Sequence, residues 1–121
     1  MLFALSLPRI HEQMTTAVIQ KVHAREGVLL PVGGTLLDLT VDLSAVAAHD
    51  CPPVSRFRIG ARDGAWLRRV DVKEGDEIPV GTPLALLSSE REETLTGPIA
   101  RALRVSIAAI MPQGHWLDDE A

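Results

Sequence analysis

Ala17-Val18-Ile19-Gln20-Lys21-Val22-His23-Ala24-Arg25-Glu26-Gly27 and Ala65-Trp66-Leu67-Arg68-Arg69-Val70-Asp71-Val72-Lys73-Glu74-Gly75 lie over one another at a constant offset along the chain. At that offset Pro31-Val32-Gly33 falls on Pro79-Val80-Gly81, and Leu36 falls on Leu84. Turn residues, gaps and apolar positions agree together, which marks an internal repeat. Each copy reads as strand, turn, short strand, turn, strand. Val18, Ile19 and Val22 supply β-branched residues to the first copy, and Trp66, Leu67, Val70 and Val72 supply the apolar positions of the second. Glu26-Gly27 and Glu74-Gly75 are turn signals, because glycine reaches positive φ without a Cβ clash. From Thr35 to Leu43, residues Leu37, Leu39, Val41 and Leu43 alternate with Leu36, Asp38, Thr40 and Asp42, the period of a half-buried strand. Neither copy is large enough to bury a core alone. The expected fold is all-β, the two copies packing face to face as a small pseudo-twofold sandwich or flattened barrel.

Composition agrees with one such domain. The chain has 121 residues, 46% of them apolar, which is enough to build a core and argues against general disorder. Aromatics are only 3% and tyrosine is absent, so that core must be aliphatic. A lone Cys51 excludes an intramolecular disulfide framework and a cysteine-rich zinc site. With 12 Lys+Arg against 16 Asp+Glu the net charge is −4, which gives no electrostatic reason to expect nucleic acid. No apolar run reaches the ~18–20 residues of a membrane span. The apolar stretch Met1 to Leu7 has no preceding basic residue and is cut short by Pro8-Arg9, unlike a secretory signal. A cytoplasmic location is the expectation.

The repeat resembles the lipoyl/biotinyl carrier domain, the swinging-arm module of 2-oxo acid dehydrogenase E2 subunits and biotin carboxylases. Glu74-Gly75-Asp76-Glu77-Ile78-Pro79-Val80-Gly81-Thr82-Pro83-Leu84 is similar to the family's Glu-Gly-Asp-x-Val-x-x-Gly-x-x-Leu pattern, and Glu26-Gly27-Val28-Leu29-Leu30-Pro31-Val32-Gly33 is a looser version. Leu7-Pro8-Arg9-Ile10-His11-Glu12-Gln13-Met14 stands where the family has its first strand, of the type Met-Pro-x-Leu-x-x-x-Met. The resemblance spans about residues 5–90 and implies a lipoyl-type fold over 1–90, with 91–121 as an extension. It also implies a cofactor lysine at a hairpin tip, in a Glu-x-Asp-Lys-Ala type sequence. Here that stretch is Thr40-Val41-Asp42-Leu43-Ser44-Ala45, with leucine at the acceptor position. No amide to lipoate or biotin can form on Leu43. The chain's two lysines, Lys21 and Lys73, fall inside the repeats. No bound cofactor is expected, and fold alone does not supply a function.

Between Leu43 and Gly64 the chain is about ten residues longer than the family pattern, so an extended central hairpin over 43–64 is expected; loop-tip insertions are thermodynamically cheap and often functional. Pro52-Pro53 makes part of it rigid, and Val54 to Ile59 reads as a strand. Asp42, Leu43, Ser44, His49, Asp50 and Cys51 are the candidate interaction or attachment residues. Leu43 also reads simply as an inward-facing strand residue. His49 beside Cys51 could activate the thiol as a nucleophile or acyl acceptor, but one Cys and one His fall short of the four ligands of a closed zinc site, and a free cysteine commonly packs as a small apolar residue. His11-Glu12-Gln13-Met14-Thr15 lacks the second histidine of the helical zinc-protease motif. No metal site and no catalytic residue is expected.

Arginines 56, 58, 62, 68 and 69 make the second half locally basic, either as a solvated strand face or as a docking surface for an acidic partner. Ser89-Glu90-Arg91-Glu92-Glu93 reads as a linker or loop. Beyond it, Leu103, Val105 and Ile107 alternate with polar residues and suggest one added strand over Arg101 to Ile110, with a helix starting at Pro98 as the competing reading. Such a strand could cover an open edge or pair with another chain to form a homo-oligomer. Gly114 to Ala121 forms an acidic tail.

These features lead to the expectation of a non-catalytic lipoyl-like protein that binds or scaffolds E1-like or acyltransferase components of a 2-oxo acid dehydrogenase-like complex. The alternative is an unconventional carrier holding an acyl group or cofactor on a non-lysine nucleophile, Cys51 or Ser44.

Overall fold

The structure, a computed structural model, describes residues 1–42 and 54–110. Ten strands appear in chain order: β1 Leu2–Ser6, β2 Thr16–Val22, β3 Leu29–Leu30, β4 Thr35–Asp42, β5 Val54–Ala61, β6 Ala65–Val70, β7 Glu77–Pro79, β8 Pro83–Ser88, β9 Ile99–Ala102 and β10 Val105–Ile110. They make two five-stranded sheets with orders β3-β6-β8-β1-β9 and β10-β5-β4-β2-β7. The architecture is a β-sandwich and not a closed barrel. Exchanging β1 with β5, β2 with β6, β3 with β7, β4 with β8 and β9 with β10 turns one sheet order into the other.

The hydrogen bonds repeat with the strands. Gly27 N donates to Leu67 O at 2.7 Å and Gly75 N donates to Ile19 O at 2.7 Å, so each copy's turn is pinned to the other copy's first strand. Leu67 N donates to Val28 O and Ile19 N donates to Asp76 O, at 2.9 and 2.8 Å. The two glutamates of the Glu-Gly turns cross over as well: Glu26 Oε2 accepts from Val70 N and Glu74 Oε2 accepts from Val22 N. Gly27, Gly75, Gly33 and Gly81 have φ of 89°, 96°, 88° and 92°, the left-handed region that the repeated turns require. Even the register shifts recur, between Ile19 and Lys21 in β2 and between Leu67 and Arg69 in β6.

Phe3, Leu5, Leu67, Leu84 and Leu87 of one sheet and Ile19, Leu37, Leu39, Val41 and Ile59 of the other are buried in the aliphatic core between the sheets. The other face of the first sheet is covered too. Segment 89–98 is held over it by Arg68 Nη1 donating to Glu93 O at 2.6 Å, by Ser88 Oγ donating to Glu90 O at 2.5 Å, and by the Arg91 guanidinium 5.5 Å from the Trp66 ring centre. The Met1 ammonium reaches Glu93 Oε2 at 2.6 Å and Ser89 Oγ at 2.9 Å. Leu2, Leu86 and Ser88 are consequently buried outside the main core.

Four expectations are corrected. The stretch from Leu7 to Met14 is not a strand: the first strand is Leu2–Ser6, and Leu7 to Thr15 form the loop into β2. The helix starting at Pro98 is not formed, and the single strand over Arg101 to Ile110 is in fact two. β9 runs parallel to β1 at one sheet edge, and after Leu103-Arg104 the chain joins the other sheet as β10 beside β5. Asp63 staples this crossing. Its carboxylate accepts Arg104 N, Nε and Nη2 and Arg101 Nη1 at 2.7–3.0 Å, and those arginines hold it well below the ordinary carboxylate range. Segment 89–93, read as a linker, is the anchored cover just described.

Candidate functional site

β4 and β5 form the long antiparallel pair of the second sheet, running from Thr35 opposite Gly60 to Asp42 opposite Val54. Asp42, exposed at the end of β4, is the described member of the candidate tip set. Leu43, Ser44, His49, Asp50 and Cys51 lie outside the described residues. Neither lysine is at this end: Lys21 sits opposite Asp38 in the body of β2, and Lys73 is in the β6–β7 turn, where its amide donates to Asp76 Oδ2.

Four residues before the end of β4, the outer face of the sheet carries a charged cluster that sequence reasoning missed. Asp38 is only 6% exposed although it points away from the core. Arg58, its cross-strand partner on β5, donates from Nε to Oδ1 at 2.9 Å and from Nη2 to Oδ2 at 3.2 Å, a two-pronged fit of guanidinium to carboxylate. On the other side His23 Nε2 lies 2.9 Å from Oδ2. The strand irregularity at Gln20 precedes His23, whose backbone amide is held by Leu36 O. Burial would raise the Asp38 carboxyl, but hydrogen bonds from Arg58 and His23, with their charges, outweigh it and leave it below its ordinary value. Asp38 in turn raises Arg58. A carboxylate accepting from Nε2–H fixes the imidazole tautomer and orientation, which is the positioning half of an acid–base device. Among the described residues no hydroxyl or thiol hydrogen-bonds to His23 to complete one, and no three potential ligands come together as a metal site.

The signal that could have found this cluster is the place where the repeat breaks its own rule. Asp38 overlies Leu86 and His23 overlies Asp71, so the first copy places an ion-paired cluster where the second has a buried leucine. The basic cluster is also divided by the fold. Arg58 is paired with Asp38 and Arg69 with Asp71, while Arg68 holds segment 89–98. Arg56 and Arg62 are exposed, and neither makes an ion pair with a described residue.

Comparison of the chain with protein-family models gave no match, and a search of curated proteins found no significant relative.

Proposed function

We propose that this chain is a non-catalytic sandwich of the lipoyl/biotinyl type that works by binding. It presents its long β4–β5 hairpin to a protein component of an acyl-transferring complex of the 2-oxo acid dehydrogenase kind, E1-like or acyltransferase. The observation that carries the reading is the reciprocal two-copy strand order together with the eleven residues, none of them lysine, that stand in sequence between Asp42 and Val54. A lipoyl or biotinyl carrier needs a lysine amine at that end; a scaffold needs a shape and a surface. The Asp38 cluster supports the second role, since it braces the β4–β5 pair by crossing it with Arg58 and by tying β4 to His23.

Two measurements test this. Deleting residues 47–53 should abolish capture of a purified E1-like or acyltransferase partner while far-UV circular dichroism and Tm stay close to the parent; undiminished partner affinity would sink the reading. The intact mass of protein purified from its host should equal that of the bare chain. An adduct mapped to Ser44 or Cys51 would instead mean a carrier.

A further inference from the structure

Among the described strands four stand at sheet edges, β3 and β9 in one sheet and β7 and β10 in the other. A free edge is a row of unpaired backbone donors and acceptors, and proteins ordinarily blunt it with charge, proline, a bulge or brevity. Three of these edges are blunted. β3 has two residues, β7 carries Glu77 and Pro79, and β9 follows Pro98, carries Arg101 and meets β1 through a register shift. β10, Val105-Ser106-Ile107-Ala108-Ala109-Ile110, has none of these devices. It is six residues long, holds no charge, proline or glycine, and pairs with β5 along its whole length without a register shift.

The hydrogen bonds of β5 show which groups of β10 are left over. Arg62 N donates to Arg104 O at 2.8 Å, whereas Ala61 N donates to Gly34 O on the opposite side of β5. Backbone groups alternate sides along an antiparallel strand, so Ser106, Ala108 and Ile110 spend their N–H and C=O groups on β5. Those of Val105, Ile107 and Ala109 point out from the free edge, and among the described residues nothing bonds to them there. Side chains directly opposite one another share a face of the sheet. Val105 and Ile107 stand opposite Ala61 and Ile59, which are buried, and so they lie on the core side. Val105 packs against the core, but Ile107 is still 39% exposed because no strand of the sheet lies beyond it.

We infer that the free edge of β10 is a self-association site, where a second copy of this chain adds its own β10 antiparallel about a two-fold axis at Ile107. Only outward-pointing residues can exchange bonds, so 105, 107 and 109 pair among themselves, and a slip of one residue leaves the ladder unmade. With the axis at Ile107 all three are used. Ile107 then meets its own counterpart, and Val105 meets the counterpart of Ala109, large against small on the core side. The two five-stranded sheets become one continuous sheet, and the half-covered Ile107 gains its missing neighbour. A second copy suits this edge because a two-fold sets each strand against itself, and an uncharged strand then meets no like charge. A foreign strand is selected through pockets for its alternate side chains, and Ser106 and Ala108 on the outer face are too small to shape them. One contact of this length is small, so the dimer forms at high protein concentration and dissociates on dilution. The inference stands apart from the hairpin reading.

The test is sedimentation of the full chain from about 1 µM to about 1 mM, with amide hydrogen exchange at both ends of that range. A monomer–dimer equilibrium is expected. The amides of Val105, Ile107 and Ala109 should exchange freely in the dilute protein and about tenfold more slowly when nine chains in ten are paired. Those of Ser106 and Ala108, already bonded to β5, should be protected throughout. Ala109→Pro removes an edge donor and no bond to β5; it should leave the Tm of dilute protein unchanged and raise the dimer Kd by about tenfold or more. Ile107→Lys sets two like charges face to face at the axis and should raise the Kd at least as much. A chain that stays monomeric across the range, or a dimer that neither variant weakens, would overturn the inference. So would protection of the three edge amides in the dilute monomer, which would make residues 111–121 of the same chain the cover.

Discussion

Asp38 and Asp63 are buried carboxylates of the described sandwich, and each stays ionised because arginines approach it. Asp63 has the denser shell, with two guanidiniums and a backbone amide, and Asp38 has one guanidinium and an imidazole. Both folded carboxyls lie below the unfolded value of about 3.9. A depressed carboxyl stabilises the fold fully above its unfolded value, and that stabilisation is lost as pH falls toward the folded one. Asp63→Asn should therefore lower Tm at pH 7, and the gap from the parent should begin to narrow below about pH 4 and go on shrinking as the pH falls further. Thermal unfolding followed by circular dichroism from pH 7 to pH 2.5 reads this directly; a gap of constant size would show that charge is not what Asp63 contributes. At this scale the sequence is least legible. The partners of Asp63 stand 38 and 41 positions further along the chain, and no local pattern announces them.

The strands were legible in proportion to how one-sided they are. β4 alternates because one face meets the core, and the repeated turns declare themselves through glycines that need positive φ. β1 does not alternate. It lies between β8 and β9 with Phe3 and Leu5 inward and Leu2 buried under segment 89–98, so it reads as a plain apolar run. That segment escaped for a different reason: part of its anchorage runs through the carbonyls of Glu90 and Glu93, which have no sequence signature, and the rest through partners far along the chain such as Trp66 and Met1. Two outcomes follow for the elements. Gly27→Ala and Gly75→Ala should each cost about 1–2 kcal/mol by urea denaturation, and by similar amounts, since the two turns share one geometry. Leu103→Ala removes the buried plug, 4% exposed, from the β9–β10 crossing and should cost about 2–5 kcal/mol.

Across the whole molecule, each copy's turn is completed by a strand of the other, so neither copy can be whole by itself. The amides of Ile19 and Leu67 make the matching cross-copy bonds. They should exchange with deuterium at the same free energy, equal to that of global unfolding; a copy that opened first would show itself as one faster amide. The same wiring fixes the order of events during synthesis. Residues Leu2–Ser6 are made before both of their neighbours in the sheet, Pro83–Ser88 and Ile99–Ala102. At ribosomal speeds of about 5–20 residues per second, this apolar strand waits roughly 5–20 seconds for both of its flanks. For that interval the nascent chain displays an apolar strand without either of its sheet neighbours, a delay written into the strand order.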